Sequence, residues 1–176
     1  YLKYTTLDYD PPILLSDKSP DFATTGDEFD FKISAWDITE VGEVYIDWAH
    51  GKKTGIENLS KSGEYWKSNV RLDHNLSKMT YTIYMDDIMG NRFNSSLQTV
   101  NITDNDLPVL EQPKHMQGYA GEPITFRIPI GDNIALERVH FAYWYGSGSY
   151  NYSVVNNSQN TWNITITAPT NELWFS

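Results

Sequence analysis

The sequence predicts an all-β protein made of two β-sandwiches in series, the second of them truncated. Two observations predict this fold class. Hydrophobic side chains alternate with polar ones along many short segments, and one set of landmarks occurs twice in the chain, roughly 95 residues apart. Hydrophobic residues make up 40% of the 176 residues and aromatic residues 14%, which is enough for a packed core.

The internal repeat is carried by several separate landmarks. Residues 25–33 (Thr-Gly-Asp-Glu-Phe-Asp-Phe-Lys-Ile) align with residues 120–128 (Ala-Gly-Glu-Pro-Ile-Thr-Phe-Arg-Ile), and the same offset places Asp37 on Asp132. Further landmarks keep this register within a residue or two, as when Trp66 aligns with Trp162. We therefore predict one repeat over residues 11–106 and a second over 107–176, with a junction near 104–108.

Within each repeat hydrophobic and polar side chains alternate with a period of two, which is typical of strands that have one buried and one solvent-exposed face. The predicted inward-facing residues of the first repeat are Phe29, Phe31, Ile33, Val44, Ile46, Trp48, Trp66, Val70, Leu72, Tyr81, Ile83, Met85, Val100 and Ile102. Turn residues such as Thr25-Gly26, His50-Gly51 and Gly90-Asn91 separate these segments. About seven short strands per repeat indicate a sandwich of the immunoglobulin type, and no segment predicts an amphipathic helix.

The repeat register also bears on the two ends of the chain. Residues 1–10 align with the last strand of a preceding repeat or with a linker, and residues 173–176 align only with the beginning of the strand at Met79. The second repeat is therefore expected to lack its final hairpin. Either the chain is part of a longer array, or another chain supplies the missing strands.

Charge and composition exclude several classes of function. The formal net charge is −10 and the isoelectric point is near 4.7, which argues against nucleic acid or anionic membrane as a partner. The chain contains no cysteine, which excludes disulfides, thiolate metal sites and cysteine nucleophiles. No run of about 18 apolar residues is present, so we expect no membrane span.

Three stretches together resemble a known family: Ile33-Ser34-Ala35-Trp36-Asp37, residues 41–46 (Val-Gly-Glu-Val-Tyr-Ile), and residues 81–91, which end in Asp87-Ile88-Met89-Gly90-Asn91. They resemble the immunoglobulin-like repeats of large bacterial and archaeal surface proteins, in particular repeats of methanogen cell-surface and S-layer-associated proteins. Those repeats carry an A-x-D-N-x-G-V-x-x-V stretch and a later D-x-x-G-N turn. The first repeat departs from this pattern at Ile38, and the second retains Asp132-Asn133.

The resemblance covers essentially the whole chain, and it points to a fold and a location rather than an activity. It implies tandem cadherin- or fibronectin-III-like sandwiches. It also implies a non-catalytic structural or adhesive function at the cell surface, with neighbouring repeats or the surface layer as partners.

Seven Asn-X-Ser/Thr acceptors occur, at Asn58, Asn75, Asn94, Asn101, Asn151, Asn156 and Asn163. Roughly two or three would arise from the content of Asn, Ser and Thr alone. Asn101 and Asn163 each lie between two predicted core residues, so strand alternation directs both away from the core, where a glycan is tolerated. One interpretation is an extracellular glycoprotein, plausible for an archaeon; the other is that an Asn- and Thr-rich β-protein accumulates acceptors without use.

Acidic residues cluster in the predicted turns. In an immunoglobulin-type sandwich, the incoming linker, the loop between the second and third strands and the loop between the last two strands share one pole. The predicted cluster of the first repeat comprises Asp8, Asp10, Asp37, Asp86, Asp87 and Asn91, and that of the second comprises Asp104, Asn105, Asp106, Asp132 and Asn133. Such oxygen ligands suit Ca²⁺, and residues 104–108 are similar to a cadherin calcium linker. The alternative is that these are turn residues that bond their own backbone.

The sequence gives no indication of an enzyme. The four histidines, His50, His74, His115 and His140, lack metal-pair spacing, and His50 and His74 are predicted in turns. No nucleophile elbow or phosphate-binding loop is present. We therefore expect no catalytic residue and no required cofactor, with calcium as the one candidate ion.

The aromatic run Tyr143-Trp144-Tyr145 is the candidate binding face, because alternation directs Trp144 outward. An exposed indole ring can stack on a sugar, which raises the alternative of a carbohydrate-binding or accessory module of a larger secreted enzyme. The other interpretation is that Trp144 covers a sheet edge or packs on a neighbouring repeat.

Overall fold

A computed structural model describes residues 7–111, 117–145, 149–154, 156–158, 161–168 and 173–175. The chain divides into two compact units, Tyr1–Asn105 and Asp106–Ser176. The described residues form strands and turns without a helix, so they hold no helix that could cross a membrane. Residues 1–6, predicted to belong to a preceding strand or linker, lie outside the described part of the chain.

Ten strands make up the described part of the first unit. They are β1 (Ile13–Asp17), β2 (Phe22–Thr24), β3 (Glu28–Trp36), β4 (Val41–His50), β5 (Lys53–Asn58), β6 (Ser60–Ser62), β7 (Tyr65–Arg71), β8 (Met79–Asp87), β9 (Arg92–Asn94) and β10 (Gln98–Thr103). The number of strands exceeds the seven or so expected because three predicted strands are each divided in two, as β1 and β2, β5 and β6, and β9 and β10. Pro20 lies between β1 and β2, where it supplies no backbone N–H, and residues 95–97 separate β9 from β10.

Two sheets face each other in the first unit. The first sheet has the order β1-β3-β7-β6, and the second has the order β2-β10-β8-β4-β5, with β9 also pairing to β8. All pairs are antiparallel except β2 and β10, which run parallel. The first strand of the sandwich thus divides between the two sheets, as β1 and β2. The predicted all-β, immunoglobulin-like sandwich class is confirmed.

The core of the first unit contains the predicted inward-facing side chains of both sheets. Phe29, Phe31 and Ile33 of β3 are at most 1% exposed, and they face Ile46 of β4 and Ile83 of β8, which are fully buried. Strand alternation accounts for this arrangement, because residues i and i+2 line one face. At about 25 cal/mol per Å² of buried apolar surface, such a core is the main stabilising contribution to the unit.

β1 is an edge strand with an irregularity. Its pairing with β3 shifts between Leu14 and Ser16, and Leu15 at that point is exposed. Such a bulge bends the strand and breaks the regular ladder. Pro11 and Pro12 precede the strand directly.

The second unit repeats this topology with fewer strands. They are β11 (Val109–Leu110), β12 (Pro123–Gly131), β13 (His140–Tyr145), β14 (Ser149–Val154), β15 (Asn156–Ser158), β16 (Thr161–Thr167) and β17 (Leu173–Phe175). One sheet has the order β11-β12-β16-β15 and the other the order β14-β13-β17. Phe126, Phe141 and Trp162 lie in its core, each less than 9% exposed.

The strand directions give the first unit two poles. The acidic pole comprises residues 7–12 before β1, residues 37–40 between β3 and β4, and residues 88–91 between β8 and β9. The opposite pole comprises residues 25–27, 51–52 and 72–78, together with Asp104 and Asn105 after β10.

Candidate metal centre at the acidic pole

Three carboxylates from three separate segments meet at the acidic pole. Asp8, Asp37 and Asp87 each place a carboxylate oxygen so that the three oxygens lie within 4.8 Å of one another. Asp8 and Asp37 are half-buried, and Asp87 is buried. This trio is the one group of three or more potential metal-ligating side chains that the described residues hold.

Local hydrogen bonds fix the first two members of the trio. Asp37 Oδ1 accepts the backbone N–H of Thr39 at 2.8 Å and its hydroxyl at 2.6 Å, so the carboxylate closes the turn after β3. The Thr39 hydroxyl also lies 3.0 Å from Asp8 Oδ2. Thr39 therefore links the segment before β1 to the loop between β3 and β4.

Asn91 forms the corresponding link on the side of β8. Its side-chain amide donates to the backbone carbonyl of Asp8 at 3.2 Å and to Asp87 Oδ2 at 2.7 Å. Asp87 Oδ1 accepts the backbone N–H groups of Met89 and Asn91, both at 2.8 Å. The sequence predicts Asn91 as a member of the cluster, and in the structure its amide holds Asp8 and Asp87 together.

The approach of β4 to β8 at this pole depends on Gly42. A Cβ atom at this position would lie 3.2 Å from the carbonyl carbon and oxygen of Asp87 and 3.3 Å from the nitrogen of Ile88. These are backbone atoms, which cannot move aside without shifting the strand. The β4–β8 register also shifts between Val41 and Glu43, so Gly42 forms a bulge beside the buried carboxylate.

Asp87 stays ionised in this setting. Burial favours the neutral acid, but hydrogen bonds from the side chain and backbone of Asn91, and from the N–H groups of Met89 and Gly90, outweigh it and hold the pKa of Asp87 below its ordinary value of 3.8. The acidic pole therefore concentrates negative charge in a chain whose net charge is already −10.

The geometry of the trio suits a hard divalent cation. Ca²⁺ binds oxygens at 2.3–2.6 Å, so two ligands on opposite sides of one ion lie about 4.8 Å apart, and three oxygens within that distance can share it. Since Ca²⁺ takes six to eight ligands, the three carboxylates need backbone carbonyls or water to complete its shell. Asp8, Asp37 and Asp87 are the residues that could hold it.

Two predicted members of the first cluster lie outside the trio. Asp86 precedes Asp87 in β8, so its side chain emerges on the other face of the sheet, where it accepts two hydrogen bonds of 2.6 Å from Arg92. Asp10 is exposed, and its backbone N–H donates to Asp8 Oδ1 at 3.0 Å. Neither side chain joins the trio.

The acidic residues predicted to form the second cluster have separate roles where the structure shows them. Asp104 accepts a hydrogen bond of 2.9 Å from the Thr25 hydroxyl, and Asn105 donates to Asp27 at 2.8 Å, so both belong to the opposite pole of the first unit. Asp132 accepts the backbone N–H groups of Ile134 and Ala135 at 2.9 and 3.0 Å and closes a turn. Asp106 is half-buried in the second unit.

The structure corrects the prediction that His50 lies in a turn. His50 is the last residue of β4 and is 1% exposed. Its Nδ1 accepts the backbone N–H of Asp73 at 3.0 Å, and its buried Nε2 has no partner among the described residues. His74 and His140 are exposed, and His115 lies outside the described residues.

Trp144 lies in β13, the central strand of the sheet β14-β13-β17, and its side chain is half-buried. Tyr143 packs against the core of the second unit, as alternation predicts. The side chain of Tyr145 lies outside the described residues. A sugar-stacking role for Trp144 stays a prediction.

No protein-family model matches this chain, and a comparison with curated proteins finds no match. Among solved structures, the chain is similar to the fibronectin(III)-like modules of CbhA from Clostridium thermocellum, with 12% identity, a TM-score of 0.38, and coverage of 89% of this chain and 78% of the other. It is also similar to a chimeric titin Z1Z2 functionalised with an exogenous KLER peptide from decorin. That match has 11% identity, a TM-score of 0.33 and coverage of 92% and 84%, respectively.

Proposed function

We propose that this chain is a non-catalytic structural repeat of an extracellular cell-surface protein, and that its first unit bears tension along the chain. The single observation that carries the proposal is the parallel pairing of β2 with β10. These strands lie near the two ends of the unit. The repeated sandwich and the glycosylation acceptors support the extracellular, multi-repeat part of the proposal.

The two ends of the first unit leave from opposite poles. The segment before β1 enters at the acidic pole, and Asp104 and Asn105 follow β10 at the opposite pole. A force that separates these ends therefore acts along the strands. Two parallel strands pulled in this way must break all the hydrogen bonds between them together. A hairpin pulled open from one end breaks its hydrogen bonds one at a time.

Backbone hydrogen bonds continue the β2–β10 pairing beyond its three paired residues. The N–H of Asn101 donates to the carbonyl of Asp21 at 3.4 Å, and the N–H of Thr25 donates to the carbonyl of Thr103 at 3.0 Å. The pairing joins Asn101 to Phe22, Ile102 to Ala23 and Thr103 to Thr24. β2 and β10 are thus bonded along their shared length.

Side chains reinforce this pairing at the opposite pole. The hydroxyl of Thr25, which is fully buried, donates to Asp104, and the amide of Asn105 donates to Asp27. These two hydrogen bonds fasten the chain just after β10 to the turn between β2 and β3. Tension that leaves through Asp104 reaches them first.

Single-molecule force spectroscopy tests the mechanical role. Because the chain lacks cysteine, handles can be attached to added terminal cysteines or, for comparison, to the pair Ile38→Cys and Met89→Cys at the acidic pole. End-to-end loading should require a several-fold higher unfolding force than loading through the pole, which peels strands apart. Thr25→Val should lower the end-to-end force, and Thr82→Val on the outer face of β8 should leave it unchanged. Equal forces in the two geometries would contradict the proposal.

The extracellular location is tested separately. Antibodies raised against the folded chain should label intact producing cells. Labelling only after the cells are permeabilised would place the chain inside the cell and remove the cell-surface part of the proposal.

A further inference from the structure

We propose that N-linked glycans occupy Asn58, Asn94 and Asn101 and leave Asn75 bare, so that the first unit carries sugar on the outer face of its second sheet alone. This inference rests on the proposed extracellular location, because Asn-X-Ser/Thr acceptors carry N-linked glycans in secreted proteins.

The three asparagines lie on one face of one sheet. Asn58 ends β5, Asn94 ends β9, and Asn101 lies within β10, and all three strands belong to the sheet β2-β10-β8-β4-β5 with its added β9. All three side chains are exposed, and the flanking residues Val100 and Ile102 are buried on the other side of β10. A glycan on any of them extends into solvent without disturbing the core.

Two of these asparagines lie on either side of an aromatic pair. Asn58 is the cross-strand partner of Tyr45, Tyr45 pairs with Tyr84, and Tyr84 pairs with Asn94, so the four residues form one row across the sheet. The two tyrosine rings are stacked, with centroids 4.9 Å apart and an angle of 5° between their planes. Cross-strand neighbours have Cβ atoms about 4.5–5.5 Å apart. The first sugar on either asparagine therefore lies beside an aromatic ring, against which the C–H face of a pyranose can pack.

Asn75 differs from these three because the fold uses its side chain. Its Nδ2, the atom to which a glycan would be attached, donates to Asp73 Oδ2 at 3.0 Å, and its Oδ1 accepts the backbone N–H of Ser77 at 2.9 Å. A Cβ atom on Gly51 would lie 2.0 Å from Nδ2, so the turn after β4 packs directly against this amide. A glycan on Nδ2 would have to displace that turn.

The other sheet of the first unit carries no acceptor on its outer face in the part that the structure describes. That face presents Lys32 over the ring of Tyr65, with Nζ 4.3 Å from the ring centroid. It also presents the exposed Lys67 and Arg71 together with the exposed carboxylates Glu28 and Asp30. The glycans and these cationic side chains therefore lie on opposite sides of the unit. Glycans on one sheet alone leave the outer face of the other sheet open to contact.

In the second unit, Asn163 is half-buried, and its Oδ1 is buried without a partner among the described residues. Asn151 and Asn156 lie in β14 and β15, and their side chains are outside the described residues. The inference is therefore confined to the first unit.

The test is glycopeptide mapping of the full chain secreted from an N-glycosylating eukaryotic cell. Enzymatic release of the glycans in heavy-oxygen water marks each occupied asparagine for mass spectrometry. We expect occupancy at Asn58, Asn94 and Asn101 and none at Asn75 in the secreted, folded protein. Occupancy of Asn75 equal to that of the other three sites, or bare Asn58, Asn94 and Asn101, would overturn the inference.

Glutamine variants provide the controls. Asn58→Gln, Asn94→Gln and Asn101→Gln should each remove one glycan and leave the melting temperature of the unglycosylated protein within 1–2 °C, an order-of-magnitude expectation for exposed positions. Asn75→Gln should remove no glycan yet lower that melting temperature by several degrees. A lost glycan without loss of stability in Asn75→Gln would count against the inference. A bare secreted chain would overturn the inference without bearing on the mechanical role, because force measurements use unglycosylated protein.

Discussion

The hydroxyl of Tyr81 donates a hydrogen bond of 2.6 Å to Oδ2 of Asp17, and this bond joins the two sheets of the first unit. Tyr81 is in β8, which belongs to the second sheet, and Asp17 ends β1 of the first sheet. The ring of Tyr81 is 5% exposed and packs edge-on against Phe31, with centroids 5.2 Å apart. The pKa of Tyr81 lies well above its usual value, mainly because the side chain is buried and also because its hydroxyl donates to Asp17.

Replacing Tyr81 with Phe should lower the free energy of unfolding by about 1–2 kcal/mol, because the ring remains packed while the Asp17 carboxylate loses a donor. Urea denaturation measures the change. Tyr45→Phe is the matched control, since it keeps the stacked ring on the outer face. A loss in Tyr45→Phe as large as that in Tyr81→Phe would show that the hydrogen bond between the sheets is unimportant.

Millimolar Ca²⁺ should raise the melting temperature of the wild-type chain relative to protein in chelator. Calcium sites of extracellular modules typically have dissociation constants of about 0.1–1 mM. Such a site raises the free energy of unfolding by about 1.4 kcal/mol when the free ion is at ten times the dissociation constant, and by less at lower concentrations. Asp37→Asn and Asp87→Asn should abolish the shift, whereas Asp30→Asn, on the outer face of β3, should retain it. If calcium leaves the wild-type melting temperature unchanged, the three aspartates act as turn residues alone.

Acid should destabilise the first unit in the range where aspartates titrate. The pKa values of Asp27, Asp73 and Asp87 in the folded protein lie below the ordinary value of 3.8. As the pH falls, these three carboxylates therefore take up protons at a higher pH in the unfolded chain than in the folded chain, which favours unfolding. Their contribution to stability is complete well above pH 4 and is lost as the pH falls through their folded pKa values.

Asp87→Asn should therefore lower stability at pH 7 and weaken the dependence on pH between about 5 and 2, as measured by thermal melting in a series of buffers. The exposed variant Asp30→Asn serves as the comparison. A pH profile of Asp87→Asn that runs parallel to the wild-type profile would contradict the role assigned to hydrogen bonds at Asp87.

Gly42→Ala should destabilise the first unit by about 1–3 kcal/mol, because the added methyl group meets the backbone of Asp87 and Ile88. It should also reduce any calcium-dependent shift, since the buried carboxylate moves with its strand. Gly131→Ala is the control: the glycine ends β12, and a Cβ atom there meets nothing within 4 Å. Equal tolerance of alanine at both positions would show that β4 can move away from β8 at little cost.

Strand alternation was sufficient to predict the fold class and the inward face of each long strand. Phe29, Phe31 and Ile33 are buried as their spacing predicts, because a period of two is a property of the strand itself. The same rule would have separated Asp86 from Asp87, since adjacent residues in a strand cannot both point into one cluster.

Other features depend on contacts between residues distant in the sequence. His50-Gly51 has the local pattern of a turn, but the partner of His50 is Asp73, which lies in another loop, and no local pattern shows this. Asn75 is an acceptor by sequence, and only the packing of Gly51 against its amide shows that the fold uses it. The link made by Asn91 between Asp8 and Asp87 likewise requires the segments before β1 and after β8 to meet.

The bulge in β1 has a consequence for the multi-repeat protein proposed above. An edge strand presents unpaired N–H and C=O groups, and exposed Ile13 and Leu15 would make that edge attractive to the edge of a neighbouring sandwich. The register shift at Leu14–Ser16 interrupts the row of backbone N–H and C=O groups along this edge. Pro11 and Pro12 at one end and Pro20 at the other limit the length of the edge. Sandwiches held at high local density along one chain can thus lie side by side without fusing into a continuous, aggregating sheet.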